Sequence, residues 1–367
     1  MRKVSVNELS PGMIICIDIY NSMNQLVIPK DTLLDEEIIK RMSTYSLPYL
    51  KIPVEESLEL TEEGYKIVDS LEQADQSLSY YERLKCTRSF QVFKKEFLEN
   101  AEEIRNCFND VVTKHMPINS ELLLERTKQL AALTKDANIF DMMHNMRQYD
   151  DSTYMHCLNV SLLCNVMANW LNFSKEDTDN LILAGMLHDI GKLMIPDSII
   201  KKPGKLTDEE FEIVKTHPAK GYATLKNQAL PDCVKFAALM HHERCDGSGY
   251  PLGLENKQIH RFARLVGIAD VYDAMTSARV YRDSLSPFTV VEIFQKEGLQ
   301  KYDPECILIF LERIVNTYIN SRVLLSNGQE GEVVMINKDY LSRPLIQTSD
   351  GFIDLAKSED LSIEKIL

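Results

Sequence analysis

The stretch LILAGMLHDIGK, Leu181 to Lys192, decides the fold. Seven apolar or small residues run without interruption into the adjacent pair His188 and Asp189, which reads as a buried helix ending on two ligand-type side chains. Burying an unpaired carboxylate beside such a run is costly, and a bound metal ion offsets that cost. Neighbours on a continuing helix differ by about 100°, so His188 and Asp189 are expected to point apart, toward two metals or a metal and its bridge.

The arrangement recurs nearby. VKFAALM precedes the pair His241 and His242, ARLVGIAD closes on Asp270, and His217 opens THPAKGY with Pro218 at a first-turn position. His156 sits in STYMHCLNVSLLCNVMANWL, a helical stretch with a buried face. Read alone, any one of these is a hydrogen-bonded core histidine. Five of the chain's eight histidines in one helical block, with Asp189 and Asp270, read instead as a dinuclear metal site in which buried helices deliver ligands at their ends. Imidazole and carboxylate without thiolate suit iron, manganese, zinc or a similar divalent ion. Two such ions about 3.5–4 Å apart clamp both oxygens of a phosphoryl displacement, so phosphoester hydrolysis is the expected chemistry. The acidic run KLTDEEFEI carries no such meaning: Thr207 as N-cap and Glu210 three residues on form a capping box.

With 367 residues, 44% hydrophobic and 26% charged, the chain has room for two or three folded units and no signature of disorder. A net charge of −14 argues against nucleic-acid polymers and anionic membranes as partners, since both require clustered Lys and Arg. The eight cysteines contain no Cys-x-x-Cys pair, so neither a disulfide framework nor a thiolate zinc site is expected. MRKVSVNELSPGM lacks the apolar core of a signal peptide and no apolar run approaches the roughly 18 residues of a membrane span, so the expected setting is the cytoplasm.

Periodicity gives a mainly α protein in four parts. Residues 1–57 alternate short apolar runs with Pro and Gly, a small strand-rich or α/β module interrupted by the helical DEEIIKRM. In residues 58–136, YKIVDSLEQ, FKKEFLENAEEIRNCFNDVV and SELLLERTKQLAAL read as amphipathic helices, facing either a second copy in a homodimer or the chain itself. Residues 137–317 form the helical, motif-bearing domain, and residues 318–367 a β-rich extension with an Asn327-Gly328 turn signal.

HDIGK at 188–192, HHERCDGSGYP at 241–251 and RFARLVGIADVYDAMTSARVYR at 261–282 closely resemble the HD-GYP subclass of the HD-superfamily metal-dependent phosphohydrolases. The resemblance runs from about Asn138 to Leu311 and implies an all-helical domain that hydrolyses the bacterial second messenger cyclic di-GMP. It implies pGpG as product, or onward hydrolysis to GMP, through a metal-bridging hydroxide. Carried over residue by residue, it implies His156, His188, Asp189, His217, His241, His242 and Asp270 as metal ligands, with Asp189 as bridge. Lys192 is implied near the scissile phosphate as a catalytic group, and Asp273, Arg279 and Arg282 as substrate contacts. Asp246, Gly247, Gly249, Tyr250 and Pro251 read as a shaped loop beside the paired histidines, similar to the segment some members present to diguanylate cyclase domains.

Members with a third metal carry Glu four residues before the first ligand histidine; Ser152 stands there, with Asp150 and Asp151 nearby. The expectation is therefore two metals, iron or manganese before zinc, and pGpG as main product. Two alternatives are a cyclic di-GMP sensor or docking module of low turnover, and a hydrolase of another cyclic dinucleotide or nucleotide, because the fold alone does not fix substrate.

Overall fold

The computed structural model describes residues 2–4, 9, 13–20, 26–30, 32, 34, 38–40, 42, 52–55, 61, 65–75, 77–134, 138–146, 153–277, 285–358 and 360–367. The chain divides into two compact units, Met1–Gln76 with Cys86–Arg88, and Ser77–Lys85 with Ser89–Leu367.

In the first unit, β1 (Arg2–Val4), β5 (Ile52–Glu55) and β2 (Ile14–Ile15) form an antiparallel sheet in the order β1-β5-β2, and β3 (Ile19–Tyr20) pairs with β4 (Leu26–Ile28). Leu9, Ile15, Ile19, Ile28, Leu34 and Met42 close its core. Within DEEIIKRM, Ile38, Ile39, Lys40 and Met42 are helical; its other residues lie outside the described ones. YKIVDSLEQ departs from the helical expectation. The Val68 N–H donates to the Cys86 carbonyl at 2.8 Å and the Val68 carbonyl accepts from the Arg88 N–H at 2.7 Å, so only Leu71–Gln73 coils, into a 3₁₀ turn. Nine residues at helical spacing are too few to outweigh a strand-like partner.

The second unit is mainly α. Its helices are α1 (Tyr80–Lys85), α2 (Arg88–Lys114), α3 (Ser120–Ala132), α4 (Ile139–Met146), α5 (Thr153–Trp170), α6 (Lys175–Leu187), α7 (Asp197–Ile200), α8 (Asp208–Val214), α9 (His217–Leu225), α10 (Asp232–Met240), α11 (Arg261–Thr276), α12 (Pro287–Ile293) and α13 (Pro304–Asn316). The stripe Phe90, Phe93, Phe97, Ala101, Ile104, Phe108 and Val111 along α2 is buried within the chain itself, so its periodicity requires no second copy. Arg126 of α3 grips Glu103 of α2 through two hydrogen bonds of 3.1 and 2.9 Å. The capping box of KLTDEEFEI is present: Thr207 accepts from the Glu210 N–H and Glu210 accepts from the Thr207 N–H.

After α13 the chain forms an antiparallel sheet of β6 (Arg322–Leu325), β7 (Glu330–Met335), β8 (Leu345–Thr348), β9 (Gly351–Asp354) and β10 (Ile363–Ile366), in the order β10-β6-β7-β8-β9. The Asn327-Gly328 turn joins β6 to β7, where the Leu325 N–H donates to the Gln329 carbonyl at 2.8 Å. Among the described residues no helix is long and apolar enough to cross a membrane, and all eight cysteines are free thiols.

Candidate metal centre

Five elements of the second unit converge on one buried point. His156 comes from the first turn of α5, His188 caps the C-terminus of α6, His217 opens α9, His241 caps α10 with His242 next, and Asp270 lies on α11. Delivery at helix ends therefore holds for His188, His217, His241 and His242, but not for Asp270, because α11 continues to Thr276.

His188 and Asp189 also differ from expectation. The α-helix stops at Leu187, and Asp189 takes φ −103° and ψ 9° before the chain tightens into the 3₁₀ turn Ile190–Met194. The two side chains consequently meet, with His188 Nε2 3.4 Å from Asp189 Oδ2, instead of diverging. Gly191 makes this turn feasible. A Cβ there would sit 2.0 Å from the His217 carbonyl oxygen and 2.6 Å from the Gly221 nitrogen, so only glycine lets the turn approach the start of α9.

Asp189 is the hub. Its Oδ1 lies 3.1 Å from His217 Nε2 and 3.6 Å from His241 Nε2, and its Oδ2 lies 2.5 Å from Lys192 Nζ and 3.6 Å from His156 Nε2. His156 Nε2 is 3.1 Å from Asp270 Oδ1, and His242 Nδ1 is 3.7 Å from Asp270 Oδ2. Ligand-type atoms of Asp189, His217, His241 and His242 lie within 4.8 Å of one another, as do those of His156, His188 and Asp189. Asp189 belongs to both groups.

The ring nitrogens show what the centre can hold. His188 Nδ1 faces the Gly185 carbonyl at 2.7 Å, His217 Nδ1 the Val214 carbonyl at 2.7 Å, and His241 Nδ1 the Ala238 carbonyl at 3.0 Å. A carbonyl only accepts, so each Nδ1 carries a proton and each ring turns its Nε2 inward. His217 and His241 bring their Nε2 atoms to 3.2 Å, and His188 Nε2 is fully buried without a hydrogen-bond partner. The donor set fits a divalent metal ion.

The protonation pattern agrees. Burial pushes the Asp189 carboxyl up, but Lys192 and His188 outweigh it and hold it well below the usual carboxylate range. Burial likewise raises Asp270, and His156 and His242 bring it well below. Burial lowers His241 to about 4 and His242 well below its ordinary value, so both rings are neutral near pH 7. His156 is the exception: burial lowers it, yet hydrogen bonds to Asp270 and Asp273 raise it to about 9.

Lys192 reaches Asp189 from three residues on, within the 3₁₀ turn. Asp273, expected at the substrate, is 2% exposed and places Oδ2 2.8 Å from His156 Nδ1. Arg279, Arg282, Ser152, Asp150 and Asp151 lie outside the described residues.

The loop after His242 is drawn tight. A Cβ on Gly249 would sit 2.4 Å from the Arg244 nitrogen and from Glu243 Cα, so the chain folds back directly over its own start. Asp246 Oδ1 accepts from the Ser248 N–H at 3.0 Å, and Gly247 has φ +78°. The Tyr250 ring packs 4.7 Å from the His242 ring, and the Tyr250–Pro251 peptide is cis. Sequence reasoning passed over Glu243. It is 5% exposed, and its carboxylate accepts from the N–H groups of Leu252 at 2.7 Å and Leu254 at 2.9 Å. The available signal was an acid set directly between two histidines and a glycine-rich loop.

The HD domain family model matches residues 117–306, just over half the chain. The chain belongs to the HD domain family. That upholds the resemblance drawn from HDIGK and HHERCDGSGYP. The chain is similar to several curated proteins: a cyclic di-GMP phosphodiesterase of Pseudomonas aeruginosa is 35% identical over 59% of this chain and 52% of its own. The cyclic di-GMP phosphodiesterase response regulator RpfG of Xanthomonas campestris is 38% identical over 43% of this chain and 42% of its own. The 3'3'-cGAMP-specific phosphodiesterase 1 of Vibrio cholerae is 41% identical over 40% of this chain and 34% of its own. The chain thus spans about half or less of these relatives' length.

Proposed function

We propose that the protein is a metal-dependent phosphodiesterase that opens cyclic di-GMP to pGpG. The observation that carries this reading is the set of inward-facing imidazole nitrogens around a carboxylate shared by two ligand groups. In the proposal His156, His188, Asp189, His217, His241, His242 and Asp270 would hold two divalent ions, iron or manganese, with Asp189 common to both ligand groups. Ions held there supply Lewis-acid activation of water and of the phosphoryl oxygens.

The chain's own groups do the rest. The Nδ1–H to carbonyl bonds of His188, His217 and His241 keep their rings from swinging out of the centre. Lys192, whose ammonium is kept charged against burial by Asp189 and Asp270, offers positive charge where a phosphate develops negative charge. The side chains of Arg279 and Arg282 are proposed to grip the phosphates or guanines. The loop from Asp246 to Pro251 covers the His242 side and offers the surface for a diguanylate cyclase partner. Eight free thiols suit a reducing cytoplasm.

A second reading is hydrolysis of a mixed cyclic dinucleotide, favoured by the 41% identity to the 3'3'-cGAMP-specific enzyme. Competition settles the choice: unlabelled 3'3'-cGAMP should slow cyclic di-GMP turnover weakly, and preference for the mixed nucleotide would reverse the assignment. Asp189→Ala should abolish both metal loading and turnover; retained turnover would refute the metal mechanism.

A further inference from the structure

We infer that Asp273 is a positioning residue for His156, and through it for one of the two metal sites; this rests on the metal reading of the centre. Asp270 and Asp273 lie three residues apart on α11, hence on one face of the helix. They hold opposite edges of a single imidazole, with Asp270 Oδ1 3.1 Å from Nε2 and Asp273 Oδ2 2.8 Å from Nδ1. His156 therefore cannot rotate without breaking one contact.

The partner type sets this ring apart. His188, His217 and His241 lean on neutral backbone carbonyls. His156 leans on a carboxylate that is 2% exposed, and a charged acceptor makes the far nitrogen more basic. Asp273 holds the Nδ1 proton, so the Nε2 edge, whose own proton a bound ion would displace, faces the group formed with His188 and Asp189 and is strengthened as a ligand there. Removing an outer-shell partner of this kind costs a metal site about 10–100-fold in affinity. The group formed by Asp189, His217, His241 and His242 does not include His156.

The test uses the full chain, stripped of metal and titrated anaerobically with Mn(II), with free Mn(II) read by its EPR signal. Wild type should bind two ions. Asp273→Ala should weaken one by 10–100-fold and leave the other unchanged, and the near-isosteric Asp273→Asn, which keeps an acceptor for Nδ1–H but loses the charge, should recover part of the loss. Unchanged binding of both ions with a raised KM would make Asp273 a substrate contact and overturn the inference. So would joint loss of both sites with a lowered melting temperature of the stripped protein, the mark of a structural pillar. Metal bound as expected in all three proteins without hydrolysis would overturn the phosphodiesterase reading while upholding this one. No Mn(II) uptake by wild type would overturn both.

Discussion

His217 and His241 face each other Nε2 to Nε2 at 3.2 Å, each with its Nδ1 turned to a backbone carbonyl. Both Nε2 atoms thus point at one buried spot beside Asp189 Oδ1, where a cation would be held. Divalent metal should stabilise the protein by about 2.7 kcal/mol at a hundredfold excess over Kd, or about 5–10 °C in Tm. Scanning fluorimetry with and without Mn(II) checks this. His241→Ala should reduce the shift, and an equal shift in both proteins would place the ion elsewhere.

Gly191 abuts the His217 carbonyl and Gly221 so closely that a single methyl has no room. Gly191→Ala should lower stability by about 2–3 kcal/mol through overpacking and displace His217 from Asp189. Urea unfolding measures the first effect and Mn(II) uptake the second. Normal uptake at normal stability would contradict the packing described.

Glu243 accepts two backbone N–H groups of the loop that follows His242. Glu243→Ala leaves both donors without partners, at a cost of about 1–3 kcal/mol, and should expose the chain between Gly247 and Gly253 to limited proteolysis. Glu243→Gln keeps one of the two accepting oxygens and should be cleaved more slowly than Glu243→Ala but faster than wild type. Equal cleavage of both variants would remove the hydrogen bonds as the cause.

Away from the centre, Asp141 of α4 is 4% exposed and accepts from the Tyr80 hydroxyl at 3.0 Å. Burial raises its carboxyl to about 7, against the lowering effect of hydrogen bonds from Tyr80 and Tyr81. The folded chain thus holds this proton more tightly than the unfolded chain, whose Asp titrates near 3.9. The stabilisation is complete below that value and is lost as pH rises through about 7. Between pH 5 and 9, unfolding free energy should fall by about 2–4 kcal/mol more in wild type than in Asp141→Asn. Parallel pH profiles would show that Asp141 is not held protonated.

The residues that make this centre were readable because each stands in a motif where an apolar run meets a polar ligand type: His188 after LILAGML, His241 after VKFAALM. Their geometry was less so. The meeting of His188 and Asp189 depends on a helix stopping one residue early, and that stop is set by the approach of Gly191 to α9, a contact distant in sequence. The carbonyls of Gly185, Val214 and Ala238 leave no trace in side-chain identity, since any residue supplies a carbonyl. Asp273 was visible as an acid three residues after Asp270, but only the packing of α5 against α11 shows that it faces His156. YKIVDSLEQ misled because helical spacing over nine residues is also met by a segment whose backbone pairs with Cys86 and Arg88.

The most direct measurement is a time course of cyclic di-GMP breakdown by the full chain, purified anaerobically and loaded with Fe(II) or Mn(II), with nucleotides resolved by ion-exchange chromatography. The account predicts that pGpG accumulates and that Asp189→Ala yields none. Intact cyclic di-GMP in the presence of protein shown to hold its metal would contradict it.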